Sequence, residues 1–272
     1  MGKTAIIIPA RLASSRFPAK PLALITGPDG QKRPAIQYTW EAAQAAAQSL
    51  GANTEVVVAT DHRRIAEACA QMGIAVVMTS ESCRNGTERC AAALQVMAEQ
   101  PDLVINLQGD AMLTPASMVR AVAQRLEAAD YPAMATPVIA ASPTVLAHLQ
   151  SDAAAGRVGG TTAVCTSDGR ALYFSKSIIP HTAPGTAPIQ PILLHIGVYA
   201  YRPDALHAYA ARPPAMLELQ EGLEQLRFLD GGLPIGTILC EAPGWDMIEL
   251  NNPTDVPLIE AEMIRRANLG MM

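Results

Sequence analysis

Short apolar runs alternating with segments of helical character are the strongest constraint on how this chain can fold. Ala5-Ile6-Ile7-Ile8, Glu55-Val56-Val57-Val58-Ala59, Ile74-Ala75-Val76-Val77-Met78 and Leu103-Val104-Ile105-Asn106-Leu107 are apolar almost throughout. Strands of this kind are buried on both faces, as in a parallel sheet covered by helices. Between them the pattern predicts helices from about Ile36 to Leu50, from Arg63 to Met72 with Gly73 as a stop, and from Thr87 to about Glu99. Repeated strand, helix and strand units define an α/β fold with a mostly parallel central sheet.

Beyond residue 130 the texture changes. Met134 to Val138, Thr161 to Cys165, Ala171 to Phe174 and Gly197 to Tyr201 read as shorter strands, with a turn at Ser167-Asp168-Gly169. Pro180 to Pro191 holds four prolines and is expected to be a loop. Helices are expected from Asp204 to Ala211, Leu217 to Leu229 and Val256 to Ala267. No repeat and no clean linker interrupts the chain. The expected organisation is a single domain, with a core over 1–130, a lobe over about 131–230 and a return to the core over 231–272.

A chain of 272 residues can bury roughly three quarters of its unfolded surface and needs no covalent staple. With 50% hydrophobic and 17% charged residues, disorder is excluded as the main state. The net charge of −5, without a basic stripe interleaved with aromatics, argues against a nucleic-acid partner. Cys69, Cys83, Cys90, Cys165 and Cys240 are odd in number and show no CxxC spacing, so reduced thiols in a cytoplasmic protein are expected. The first apolar run is too short for a signal peptide, and no run approaches the ~18 residues of a membrane span.

The first strand empties into Pro9-Ala10-Arg11-Leu12-Ala13-Ser14-Ser15-Arg16-Phe17-Pro18-Ala19-Lys20. Arg11, Arg16 and Lys20 are separated by small residues and prolines, which lets the backbone fold tightly while the cations converge. Phosphate oxygens need several donors at once, and loop N–H groups can join the cations in supplying them. Open α/β sheets bind ligands at the carboxyl ends of their strands, which is where this loop begins. Neither the glycine-rich dinucleotide fingerprint nor the Walker lysine loop is present.

Gln108-Gly109-Asp110 puts a carboxylate at the end of another strand, placed either to hold Mg²⁺ against nucleotide phosphates or to cap the helix that follows Pro115. Asn85-Gly86-Thr87-Glu88-Arg89 enters a helix whose free N–H groups could meet an anion or a pyrimidine edge, with ordinary capping by Asn85 or Thr87 as the plainer alternative. His195 starts a strand, and Glu221 to Arg227 has the pattern of a charged helix face.

In order, Ile7-Ile8-Pro9-Ala10-Arg11 to Lys20-Pro21-Leu22, Ala59-Thr60-Asp61, Gly86-Thr87-Glu88-Arg89, Gln108-Gly109-Asp110, Ala171-Leu172-Tyr173-Phe174-Ser175, His195 to Tyr201 and Leu223-Glu224-Gln225-Leu226-Arg227 resemble the cytidylyltransferases that activate 3-deoxy-manno-octulosonate (Kdo). The resemblance implies a Rossmann-like, homodimeric nucleotidyltransferase with a smaller dimerisation and substrate lobe. The hydroxyl of the sugar acid would attack the α-phosphorus of CTP with Mg²⁺ present, and pyrophosphate would leave, a step in glycan biosynthesis. By position, Arg11, Lys20 and Asp110 would be catalytic. Pro9, Ala10, Arg11, Arg16, Lys20, Asn85, Gly86, Arg89 and Gln108 would bind the nucleotide. Gln108, His195, Tyr199, Glu221 and Gln225 would line the acceptor pocket, and Asp110 would hold the metal.

The family pattern is broken at four places. A Glu-Pro pair is replaced by Ala111-Met112, a lysine by Thr162, an arginine by Lys176, and the second metal aspartate by Asn251 in Leu250-Asn251-Asn252-Pro253. Glu249, Asp246 and Asp255 are candidates to supply the missing carboxylate. These changes favour a different acceptor, another sugar acid or a phosphonate, and they also leave open a CTP-binding paralogue without turnover.

Overall fold

The structure is a computed structural model that describes residues 2–14, 16–128, 131–183, 185–186 and 188–271. Ser15 of the basic loop and Pro184 of the proline-rich loop lie outside the described residues. The chain forms two compact units, one of residues 1–120 with 243–272 and the other of residues 121–242, inserted in sequence between the segments of the first.

In the first unit, β1 (Thr4–Ala10) is followed by a small antiparallel hairpin, β2 (Leu24–Thr26) and β3 (Lys32–Pro34). Then come α1 (Ala35–Leu50), β4 (Thr54–Thr60), α2 (Arg63–Gln71), β5 (Val76–Met78), α3 (Gly86–Val96) and β6 (Leu103–Leu107). The strands stand in the order β5-β4-β1-β6, and every pairing is parallel. β1 sits between β4 and β6 and is buried along its whole length, which is why it carries an unbroken aliphatic run. Alanines 43, 46 and 47 of α1 are buried. α4 (Ala116–Glu127) carries the chain onward.

The second unit holds β7 (Met134–Ala140), α5 (Pro143–Ala154), β8 (Thr162–Cys165), β9 (Ala171–Ser175), β10 (Leu193–His195) and β11 (Val198–Tyr201). α6 (Pro203–Ala210), α7 (Met216–Glu221), α8 (Leu226–Asp230) and β12 (Ile235–Cys240) complete it. Its pairings are antiparallel, apart from the parallel pair of β12 with β7. Gly169, at φ +79°, makes the β8–β9 turn expected at Ser167-Asp168-Gly169. The single helix expected over Leu217 to Leu229 is instead two, because Gly222 adopts the left-handed conformation at φ +63° and ends α7. The last element, α9 (Val256–Asn268), returns to the first unit.

A core of Ile25, Ala35, Tyr38, Met112, Leu113, Leu250, Ile259 and Met263 joins the hairpin, α1 and α9. Phe17, Trp245 and Ile248 pack against it, and Trp245 Nε1 donates to the Leu113 carbonyl at 2.8 Å. The basic loop and the segment before α9 are thereby anchored on the same apolar floor.

Candidate active site

β1 and β6 are neighbours, so the loops leaving their carboxyl ends begin side by side. A Cβ on Gly109 would stand 2.7 Å from the Pro9 carbonyl oxygen, so only glycine allows this approach. Thr39 Oγ1 donates to the Gly109 carbonyl at 3.1 Å and fixes the turn. Pro9 and Ala10 end β1 in buried positions, and Arg11 is exposed. Ala19 holds the left-handed φ of +55°, costly for a residue with a Cβ, with its N–H donating to the Leu12 carbonyl at 3.0 Å. That bend starts a 3-10 turn at Lys20. The Lys20 ammonium there forms an ion pair with the Asp110 carboxylate, the two side chains being 19% and 17% exposed. Asp110 is therefore engaged by a cation rather than capping the next helix.

Arg16, although exposed, donates through Nη2 to Asn251 Oδ1 at 2.8 Å. Asn251 Nδ2 in turn faces Glu249 Oε2 at 3.4 Å, and the Leu250 N–H donates to the Asp110 carbonyl at 3.1 Å. Glu249 is an exposed residue whose carboxyl group has lost part of its water to its neighbours. Desolvation, followed by the negative charge of Asp110, pushes its pKa up to about 7, against the opposing pull of Asn251, Lys20 and Arg16. Asp255 is committed elsewhere, accepting the N–H groups of Asn251 and Asn252 at 2.8 and 2.6 Å. Among the three carboxylates considered near Asn251, Glu249 is the one within reach of its side-chain amide nitrogen.

α3 begins with Asn85 as its cap, Oδ1 accepting the Glu88 N–H at 2.8 Å. Arg89 is only 2% exposed. Its guanidinium bonds to Asp61 Oδ2 and to Thr79 Oγ1, both at 2.7 Å. Asp61 also accepts the Leu12 N–H at 3.4 Å, which ties the start of the basic loop to α3 through one carboxylate. A Cβ on Gly86 would meet the Gln108 amide at 3.0 Å and Asn106 Nδ2 at 3.3 Å. Asn106 is fully buried on β6, and neither of its amide atoms has a hydrogen-bond partner in the structure. A buried, unsatisfied amide is costly, and it marks the Gly86–Gln108 corner as a place for a polar partner.

In the second unit the aromatic rings form a continuous ladder. His195 lies between Phe174 and Tyr199 at ring-centroid distances of 5.1 and 5.5 Å, and the stack continues through Tyr201 and Phe228 to Tyr209. His195 Nε2 is 2.9 Å from Thr136 Oγ1, and the Val198 carbonyl lies 2.8 Å from the same hydroxyl. With the hydroxyl proton given to that carbonyl, the ring donates from Nε2 and keeps a lone pair on Nδ1. Desolvation lowers the His195 pKa to about 3, so the ring is neutral. Glu221 accepts from Ser175 Oγ at 2.7 Å and from the Lys176 N–H at 3.0 Å, clamping the end of β9. Gln225 is buried, and its Nε2 has no partner. Thr162, where a lysine was expected from the family pattern, is buried and holds the Ser177 carbonyl at 2.6 Å and the Ile179 N–H at 3.1 Å.

Arg227 corrects the expectation of a charged helix face. It is 1% exposed, and Nε and Nη2 bond to the two oxygens of Glu218 at 2.7 and 2.6 Å. Its guanidinium lies 4.1 Å from the centroid of the Tyr209 ring. All five cysteines are free, as expected, and burial pushes the Cys69 thiol up to about 11.

A family model described as cytidylyltransferase matches residues 5–235. The chain belongs to the cytidylyltransferase family. It is 41% identical over 255 residues to the 3-deoxy-manno-octulosonate cytidylyltransferase of Maricaulis maris, covering 93% of this chain and 94% of that one. It is 38% identical over 263 residues to the mitochondrial 3-deoxy-manno-octulosonate cytidylyltransferase of Arabidopsis thaliana, covering 96% and 83%. A solved structure of CMP:2-keto-3-deoxy-manno-octonic acid synthetase complexed with CTP superposes with a TM-score of 0.81 at 33% identity, covering 97% and 99% of the two chains.

Within this cytidylyltransferase, the structure brings Pro9, Ala10, Arg16, Lys20, Gly109, Asp110 and Asn251 into one connected network. Arg89 and Asn85 are instead occupied in holding α3 and its surroundings. Asp61 and Asn106 had no assigned role in the sequence motifs, and Glu249 was one of three candidates for the missing carboxylate. Asp61 follows a recognised strand, but its pairing with Arg89 spans 28 positions and leaves no local signal. Asn106 is the one polar residue inside an apolar strand, which was a visible cue.

Proposed function

We propose that this cytidylyltransferase transfers CMP from CTP to the hydroxyl of Kdo, releases pyrophosphate, depends on Mg²⁺ and works as a homodimer in the cytoplasm. The observation that carries the mechanism is the Lys20–Asp110 pair at the carboxyl ends of β1 and β6. Each partner satisfies the other in the free protein, and each has the chemistry a nucleotide triphosphate calls for. Lys20, joined by Arg16 and Arg11, offers positive charge to phosphate oxygens and offsets the charge that builds on the departing pyrophosphate.

The carboxylate of Asp110 suits a hard cation, while the Asn251 amide oxygen, where the family pattern has the second metal aspartate, is taken up by Arg16. Among the described residues no three or more histidine, cysteine, aspartate or glutamate side chains are grouped to hold a metal ion by themselves, so phosphate oxygens would complete the coordination. When bound, Mg²⁺ would neutralise phosphate charge and orient the triphosphate. Gly86, Gln108 and Asn106 form the polar corner offered to the nucleotide, and Arg89 acts by fixing Asp61, Thr79 and the start of α3.

For the acceptor, Glu221, Gln225, His195 and Tyr199 stand on one unit. The neutral His195 and the unpaired Gln225 amide are suited to hydroxyl and carboxylate groups without adding negative charge. Kdo is preferred over a phosphonate or a different sugar acid because the named relatives share most of the chain. Thr162 has a structural job that explains its identity without invoking a new acceptor. Pyrophosphate release with CTP and Mg²⁺ against a panel of acids tests this. Turnover should be fastest with Kdo, and preference for another acid, or none at all, would overturn the assignment.

A further inference from the structure

Resting on the assignment of Asp110 to the metal, we infer that Glu249, held in place by Asn251, is the second carboxylate that faces that ion. Asn251 is used at both ends of its amide. Its oxygen accepts from Arg16 at 2.8 Å, and its nitrogen faces Glu249 at 3.4 Å. A carboxylate at position 251 could accept from Arg16 but would repel Glu249, whereas an amide can bridge a cation and an anion. Asn251 is thus a positioning residue for Glu249.

The backbone fixes the placement. The Leu250 N–H is bonded to the Asp110 carbonyl, so the residues flanking Leu250 lie alongside Asp110. Trp245 and Ile248 pin the segment to the apolar core that also holds Phe17 and Met112. Asp255 is turned to the backbone instead, one of its oxygens taking the N–H groups of Asn251 and Asn252.

Charge balance gives the reason for two carboxylates. In the free protein Lys20 neutralises Asp110. Once Lys20 turns to the phosphates, Asp110 is left without its cation, beside the backbone segment that carries Glu249. A divalent cation held by Asp110 and Glu249 would replace the charge that Lys20 withdraws, so its binding and the transfer of Lys20 to the nucleotide would support each other. Mg²⁺ characteristically takes one or two carboxylates together with substrate phosphates.

The test is calorimetric titration of CTP, without acceptor, into wild type, Glu249→Gln and the double variant Glu249→Gln/Asn251→Asp at stepped Mn²⁺ concentrations. Thermal melts of each variant check folding. Glu249→Gln should raise the Mn²⁺ needed for half-maximal CTP binding by roughly tenfold or more at an unchanged Tm. The double variant should recover most of that loss, because it returns a carboxylate beside the same ion. An unchanged Mn²⁺ requirement in Glu249→Gln overturns the inference, as does a loss that the double variant does not recover. CTP binding by wild type that is indifferent to Mn²⁺ would remove the metal role of Asp110 and this inference together. Absence of pyrophosphate release in the assay above would remove only the proposed function.

Discussion

Lys20–Asp110 and Arg227–Glu218 are both single cation–carboxylate pairs, one in each unit, yet they are built differently. Arg227 is 1% exposed, bidentate and stacked on Tyr209. Lys20 keeps 19% exposure, belongs to a loop held by a left-handed alanine, and meets a carboxylate that follows a glycine turn. A planar, doubly bonded guanidinium stays with its partner, whereas a flexible ammonium can leave for a phosphate. Burial and geometry, more than charge, separate a pair that holds the fold from one that can exchange partners.

The largest expected effect lies in the exchangeable pair. Asp110→Asn or Lys20→Ala should lower kcat by about 10²–10³ or more, the scale seen when a charge-stabilising group is removed. Tm should move by only a few degrees, because both side chains reach solvent. Arg227→Met should show the reverse pattern. It leaves Glu218 buried without its partner and should cost about 3–5 kcal/mol in urea unfolding. The folded fraction should retain its affinity for CTP.

Gly109→Ala falls between these. The new Cβ would press on the Pro9 carbonyl, so a destabilisation of about 1–3 kcal/mol is expected. A fall in kcat should accompany it, since Asp110 is the next residue.

Comparable in size to the Gly109 effect is a pH dependence that arises in the second unit. Burial holds His195 neutral down to about pH 3, while the unfolded chain takes up a proton near its ordinary value of 6.5. The unfolded state therefore binds more protons between those limits, and stability falls as pH drops through that window. The contribution to the slope approaches about 1.4 kcal/mol per pH unit. His195→Phe should flatten it, as followed by urea midpoints at pH 7, 6 and 5.

The first unit was largely legible because its strands must be apolar on both faces. β1, β4 and β6 were found within one or two residues, and the loop of cations was found with them. The second unit was less so. α5 buries only Leu149 and shows no apolar stripe, and β12 is broken by Gly236 and Thr237, so neither stood out. The β2–β3 hairpin is too short to carry a pattern. Arg227 looked like a surface charge because its partner lies nine residues back, across the break at Gly222. Asp110 and Lys20 were recognised as candidates, but sequence held nothing to show that they pair directly across 90 positions.

The partner exchange of Lys20 is tested most directly by a crystal structure of the protein with CTP and Mn²⁺ bound. Lys20 Nζ should lie on phosphate oxygens, with Asp110 on the metal. A bound nucleotide with the Lys20–Asp110 pair intact and the metal held elsewhere would contradict the account.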